Sequence, residues 1–105
     1  MCTIETLRVI HVDRNQRVLS IAEYPGDATR VVVPLRAIIA DALRLGTSGL
    51  LLSHNHPSGD PTPSAADVSA TRRLVRAARA LDINVHDHLI DAGALCFSLR
   101  AAGLL

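Results

Sequence analysis

The residues best suited to chemistry lie between positions 53 and 67, in the sequence SHNHPSGDPTPSAAD. His54 and His56 are two residues apart, so on an extended strand both imidazoles leave the same face. Asp67 follows a loop rich in Pro, Gly and Ser, which can fold back toward the histidines. Imidazole and carboxylate are suitable zinc ligands, and a catalytic zinc keeps its fourth position for water. The stretch therefore predicts a zinc site with the ligands His54, His56 and Asp67.

The same stretch allows a purely structural interpretation of its aspartate. Ser64 is a natural N-cap for a helix, and Asp67 three residues later completes a plausible capping box, with Asp in place of the usual Glu. On that alternative the carboxylate only caps a helix. Its combination with two histidines and a proline-braced loop favours the metal interpretation, and the capping alternative stays open.

A hydrolytic zinc site also needs a group that moves protons. Metal binding lowers the pKa of a bound water toward about 7, so hydroxide exists at neutral pH. A carboxylate within hydrogen-bond reach would accept the proton of that water and later pass it to the leaving amine. The chain contains only two glutamates, Glu5 and Glu23, and the pattern of residues alone does not choose between them.

Hydrophobic periodicity predicts the elements that must position these side chains. Residues 3–12 and 17–22 flank a polar turn and read as a β-hairpin. A short β-branched strand is expected at residues 29–33. Pro34 then opens a helix with apolar residues at i, i+3 and i+4 spacing, and Gly46 is suited to follow its last turn as the C′ residue.

The second half of the chain continues the alternation of strands and helices. Residues 49–53 form an apolar run typical of a buried strand, which ends at His54. A helix capped by Ser64 carries an apolar stripe to about residue 81. Strands ending at residue 90 and spanning residues 95–99 complete the order β-β-β-α-β-α-β-β. This interleaving predicts an α/β fold, a mixed sheet flanked by helices on its faces.

Composition and charge exclude several classes of protein. At 105 residues we expect one domain over residues 1–105, with an aliphatic core because one Phe, one Tyr and no Trp are present. A formal charge of +1 gives no global case for binding nucleic acid or an anionic membrane. Two cysteines make no disulfide framework, and no apolar run approaches the roughly 18 residues of a membrane span. These features predict a soluble cytoplasmic protein with reduced thiols.

The stretch from residue 53 to residue 67 also fits a family pattern. Two histidines one residue apart, seven residues, a serine, two residues and an aspartate resemble the JAMM/MPN metalloprotease superfamily. The string HNHPSGDPTPS is similar to its bacterial RadC-like branch in particular, as are the opening hairpin and the strings TRRL at 71–74 and DHLI at 87–90. The resemblance covers nearly the whole chain. It implies a RadC-like JAB/MPN domain with a three-layer architecture of the cytidine-deaminase type.

The resemblance implies a role for each residue of the site. Ser64 would stabilise the oxyanion of a tetrahedral intermediate through its hydroxyl. Glu5, and not Glu23, matches the upstream glutamate that acts as general base. Active members of the superfamily hydrolyse peptide or isopeptide bonds, often to ubiquitin-like partners. A zinc metallopeptidase or isopeptidase with a peptide or protein substrate is therefore expected, and its zinc ligands would be His54, His56 and Asp67.

Alternatives from other classes remain. RadC-like proteins carry a DNA-repair label, and the second helix presents a basic stripe that could contact phosphates, formed by Arg72, Arg73, Arg76 and Arg79. A solvated helix face explains the stripe better, and without aromatic residues to stack on bases single-strand binding has little support. A non-catalytic interaction module on the same fold is the other alternative, although the intact ligand set argues against it.

A second His-x-His pair, His86 and His88, lies on a predicted strand. It has no flanking loop and no third ligand of its own. We therefore expect Asp87 and His88 to play a structural part, supporting the metal site from behind rather than binding a second ion.

Overall fold

The described part of the chain begins with an antiparallel hairpin. The computed structural model describes residues 5–26 and 33–105. In it, β1 spans Thr6–Val12 and β2 spans Val18–Pro25. The side chain of Asp13 closes the turn, because its Oδ1 accepts two hydrogen bonds from backbone N–H groups just downstream. The predicted hairpin is confirmed, and its second strand is longer than expected. The strand predicted at residues 29–33 lies outside the described residues except for Val33.

The remaining elements match the predicted order closely. Pro34 precedes the first helix, and its carbonyl accepts a hydrogen bond from the N–H of Ile38. Gly46 ends that helix with a φ of 71°, a left-handed conformation that glycine adopts without steric cost. The elements are α1 (Leu35–Leu45), β3 (Gly49–Asn55), α2 (Ala65–Ala80), β4 (Asn84–Ala92) and β5 (Leu95–Ser98).

The five strands within residues 5–26 and 33–105 form one mixed sheet in the order β2-β1-β3-β4-β5. β3 and β4 are parallel, and every other neighbouring pair is antiparallel. Parallel neighbours need a crossover connection, which α2 supplies between β3 and β4. The fold class predicted from the sequence, an α/β domain with a mixed sheet and helices, is therefore confirmed. The central position of β3 places the end of the His-x-His strand between β1 and β4.

One face of the sheet carries the hydrophobic core. Alternation along the strands directs Leu7, Val9, Leu50, Leu52 and Val85 to this face, where all are nearly or fully inaccessible to solvent. Both helices share the same core cluster, α1 through Ile38 and Ala42 and α2 through Leu74 and Ala78. The two helices therefore lie together on one face rather than one on each.

The opposite face of the sheet carries exposed apolar side chains at its edge. The exposed side chains of Leu19 and Ile21 lie on β2, an edge strand. Neither helix in the described part of the chain has both the length and the apolar character that crossing a membrane requires.

Candidate metal centre

The carboxyl end of β3 brings the two histidines together. His54 is paired with Leu7 of β1 and with Ile90 of β4, so its ring is held over the centre of the sheet and is 1% exposed. His56 follows the last strand residue, and its backbone N–H donates to the carbonyl of Asp91 across 2.7 Å. As the spacing predicted, both rings lie on the same side of the strand. Their Nε2 atoms are 2.9 Å apart.

The loop after β3 orients the ring of His56. It folds back so that the backbone carbonyl of Asp60 lies 2.8 Å from Nδ1 of His56. The carboxylate of Asp60 holds this turn by accepting hydrogen bonds from the N–H and the hydroxyl of Thr62. A carbonyl can only accept, so Nδ1 of His56 must donate. In the neutral ring, Nε2 is then left with a lone pair directed at His54.

Asp67 caps the helix and also lies beside the two imidazoles, so the capping and metal interpretations are compatible. The capping box is complete: Ser64 Oγ accepts from the Asp67 N–H, and Asp67 Oδ2 accepts from the Ser64 N–H, each across 3.0 Å. The same Oδ2 atom lies 3.6 Å from Nε2 of His54 and 3.6 Å from Nε2 of His56. Capping therefore does not compete with a place in the site, because the cap orients the carboxylate toward both imidazoles.

Electrostatics keep Asp67 ionised. Burial raises the pKa of this carboxyl, but the contact with His54 and the hydrogen bond from the Ser64 backbone N–H outweigh burial and hold it well below its usual range. A buried carboxylate that stays charged beside two imidazoles is suited to hold a cation.

Glu5, and not Glu23, lies in the site. Its Oε1 atom is 3.4 Å from Nε2 of His56, and the residue is 7% exposed. Backbone contacts anchor it on both sides: the Glu5 carbonyl accepts from the N–H of Gly26, and the next N–H, that of Thr6, donates to Oδ1 of Asn55, each across 2.8 Å. Glu23 lies in an exposed ion pair with Arg8. Of the two glutamates that the residue pattern left as alternatives, Glu5 is therefore the one that lies beside the imidazoles.

The side chains that converge here fit a small cation. Glu5, His54 and His56 each offer one ligand atom, and the three atoms lie within 4.8 Å of one another. Asp67 lies outside that set of three but equally close to both imidazoles. Ligand atoms at about 2.1 Å from a tetrahedral ion are about 3.4 Å apart. The separations of 3.4 and 3.6 Å from carboxylate to imidazole match that spacing, and the N–N separation of 2.9 Å is slightly shorter.

His88 supports the site from behind, as the sequence analysis expected. Its Nε2 lies 2.6 Å from Nδ1 of His54, and its Nδ1 lies 2.7 Å from Oγ1 of Thr71. Burial, with a smaller contribution from His54, lowers the pKa of His88 to about 3, so the ring is neutral at neutral pH. Thr71 was not recognised as part of the site from the sequence. The available signal was a hydroxyl in the apolar stripe of α2, one helical turn after Asp67.

The neighbours of His88 take no part in a second site. Asp87 accepts hydrogen bonds from the backbone N–H of Arg100 and the hydroxyl of Ser98, and so ties the C-terminal segment to β4. His86 accepts from the side-chain amide of Asn84. In residues 5–26 and 33–105, the group of Glu5, His54 and His56 is the one set of three such side chains close enough to hold a metal.

Fold and cluster together define an α/β domain that carries a candidate metal-binding site at the end of its central strand. Comparison with known protein families identifies this domain further. The model of the RadC-like JAB domain matches residues 1–104, and the chain belongs to that family.

Two relatives of similar sequence are UPF0758 proteins. A UPF0758 protein of Roseiflexus castenholzii is 41% identical over 101 residues, which cover 95% of this chain and 43% of the relative. A UPF0758 protein of Rhodobacter capsulatus is 43% identical over 102 residues, covering 96% of this chain and 48% of the relative. The chain thus spans about half the length of the curated relatives it matches.

Proposed function

We propose that this domain is a zinc-dependent hydrolase of peptide or isopeptide bonds. The observation that carries the proposal is the convergence of two imidazole nitrogens and two carboxylates, all nearly buried, at the end of β3. Membership of the RadC-like JAB family supports the same chemistry, because hydrolysis of such bonds is common in the wider superfamily. The proposed substrate is a peptide or a protein, with ubiquitin-like proteins as one candidate class.

The proposed zinc ligands are His54, His56 and Asp67. Asp67 is preferred to Glu5 as the third ligand because its Oδ2 is equally distant, at 3.6 Å, from both imidazole nitrogens. Glu5 lies nearest to His56, with its Oε1 atom 3.4 Å from Nε2 of that ring, and would stand beside the position left for water. A zinc ion held by these residues would lower the pKa of a bound water toward about 7 and so would supply a nucleophile at neutral pH.

The other side chains handle protons and developing charge. Glu5 accepts a proton from the attacking water and returns it to the leaving amine, which its nearly buried position favours. Oγ of Ser64 already accepts a hydrogen bond from the Asp67 N–H. The Ser64 hydroxyl proton is therefore left to donate to the oxyanion of the substrate.

Zinc content and hydrolysis test the proposal together. We expect about one zinc per chain after zinc-supplemented expression, and cleavage of a peptide or isopeptide reporter that a chelator abolishes and zinc restores. His56→Asn and Asp67→Asn should lose both. His86→Asn is the matched control from the second His-x-His pair and should keep both. A wild-type protein without zinc, or a His86→Asn variant that loses it equally, contradicts the proposed site. A zinc-loaded wild type that cleaves no peptide or isopeptide reporter contradicts the proposed activity and favours a non-catalytic module.

A second candidate is an accessory factor that contacts DNA. The side chains of Arg72, Arg73, Arg76 and Arg79 are exposed on α2, and no ion pair involving them occurs within the described ranges. If the stripe contacts phosphates, duplex affinity should fall steeply with salt, and Arg73→Ala/Arg76→Ala should reduce the salt slope by about 2. Arg36→Ala/Arg44→Ala on α1 is the control of equal charge. Affinity that is independent of salt removes this candidate.

A further inference from the structure

We propose that Thr71 and His88 are positioning residues that hold the proton of His54 on Nδ1, so that the Nε2 lone pair faces the metal. This inference deepens the proposed function and rests on the zinc site described above. It concerns a chain of four groups that runs from the ligand His54 through His88 and Thr71 to the backbone carbonyl of Asp67, the other proposed ligand.

The chain is continuous and sealed from solvent. Nδ1 of His54 lies 2.6 Å from Nε2 of His88, and Nδ1 of His88 lies 2.7 Å from Oγ1 of Thr71. The Thr71 hydroxyl lies 2.8 Å from the Asp67 carbonyl oxygen. His88 and Thr71 are 0% exposed and His54 is 1% exposed, so water does not offer these groups alternative partners.

The direction of every hydrogen bond among these four groups follows from the last group, the backbone carbonyl of Asp67. A carbonyl carries no proton, so two oxygens 2.8 Å apart require the Thr71 hydroxyl to donate to Asp67. Thr71 has no second proton, so it must accept from Nδ1 of His88. A neutral His88 then has a bare Nε2 that accepts from Nδ1 of His54. Neutral His54 is left with a bare Nε2, the form of imidazole that binds a metal.

The same assignment of protons applies to His56, the other histidine of the site. His56 donates through Nδ1 to the Asp60 carbonyl, which leaves its Nε2 bare as well. If the three rings carry one proton each, every ring proton and the Thr71 hydroxyl proton is thus used in a contact away from the metal position. The contact of 2.9 Å between the two Nε2 atoms receives none. Two facing lone pairs beside two carboxylates are accommodated by a cation between them, so the surrounding hydrogen bonds reserve this position for one.

Thr71→Val tests the chain because valine has the shape of threonine without its hydroxyl. Without an acceptor at Thr71, His88 can reverse, donate from Nε2 to His54 and move the His54 proton to the metal side. We expect zinc affinity, measured by competition with a chelator, to fall about 10- to 100-fold. Thr71→Ser keeps the hydroxyl and should keep the affinity.

Nitrogen NMR of the metal-free protein reads the inference separately from the proposed function. At a pH well above the ordinary imidazole pKa of about 6.5, wild-type His54 should show a proton on Nδ1 and none on Nε2. Thr71→Val should shift that proton to Nε2, and Thr71→Ser should not. A wild-type His54 with its proton on Nε2 overturns the inference, as does a Thr71→Val variant with unchanged proton position and zinc affinity. A protein that binds no zinc would contradict the proposed function. The position of the His54 proton in the wild-type spectrum would still test this inference, because that spectrum is recorded without metal.

Discussion

The backbone N–H of Ser64 donates across 3.0 Å to Oδ2 of Asp67, and this oxygen also faces the two imidazoles of the candidate metal site. Helix capping and site formation thus use one atom. The cap of the first turn of α2 holds this carboxylate in the orientation that faces His54 and His56. Folding of the helix and assembly of the site are therefore coupled through a contact between two residues that are three positions apart.

Ser64 should separate stability from catalysis. Ser64→Ala removes the acceptor for the Asp67 N–H and should cost about 1 kcal/mol of unfolding free energy, whereas Ser64→Gly should cost only a few tenths. Both variants lose the hydroxyl and should lower kcat about 10²- to 10³-fold. Urea unfolding and kcat measure the two effects, and Ser64→Thr should retain both. Full activity in Ser64→Gly would remove the proposed oxyanion role.

Glu5→Gln should bind zinc and fail in turnover. The amide keeps the size of the side chain but accepts no proton, so kcat should fall about 10²- to 10⁴-fold while zinc content stays near wild type. Glu23→Gln is the matched control, because Glu23 forms an exposed ion pair with Arg8, worth at most about 1 kcal/mol. Metal analysis and kinetics of the two variants check this. If Glu23→Gln is the inactive one, the base is wrongly assigned.

Asn55→Ala should weaken catalysis without removing the metal. Oδ1 of Asn55 accepts the N–H of Thr6 and so holds the residue next to Glu5 against β3. Loss of this anchor should displace the Glu5 carboxylate and lower kcat about 10- to 100-fold, because catalytic geometry tolerates little displacement. Zinc affinity should change little. Ser53→Ala removes a side chain that contacts Asp91 instead and should be neutral. Unchanged kcat in Asn55→Ala would show that Glu5 is positioned by other contacts.

Acid should destabilise the metal-free protein in part through His11. Burial lowers the pKa of this histidine below its ordinary value of 6.5, although Asp41 opposes the shift and Arg44 adds to it. The unfolded chain therefore binds a proton more readily than the folded one. The stability that neutral His11 contributes is complete above pH 6.5 and is lost as pH falls through its folded pKa.

The variant His11→Asn measures that contribution. Asparagine can preserve the contact of 2.9 Å that Nδ1 makes with Thr47 but does not titrate. The unfolding free energy is measured with urea in the presence of a chelator, on both sides of pH 6.5. We expect its change with pH to be smaller in the variant, by up to about 1.4 kcal/mol per pH unit. Since His88 is present in both proteins, its titration cancels in the difference. Equal slopes would show that His11 titrates alike in the folded and unfolded chains.

Local sequence patterns were sufficient to predict most elements and the part of the site that His54, His56 and Asp67 form. Strand alternation placed His54 and His56 on one face, and helix capping chemistry placed Asp67 beside Ser64, because each depends on residues a few positions apart. Element ends were less accurate. β2 continues three residues beyond the predicted end, to Pro25, where pairing with β1 rather than residue type maintains the strand.

The α/β class, the order of the described elements and the segment that carries the histidines could be predicted from the sequence, since periodicity and capping are local properties. Which glutamate joins that segment depends on the assembled sheet. Antiparallel pairing of β1 with β3 sets Leu7 beside His54, and this contact across the sheet brings Glu5 to His56 and leaves Glu23 in solvent. Parallel pairing of β3 with β4, and the packing of α2, likewise put His88 and Thr71 behind His54. Residues so far apart in the chain meet only when the sheet and its helices assemble, so no local pattern encodes their contact.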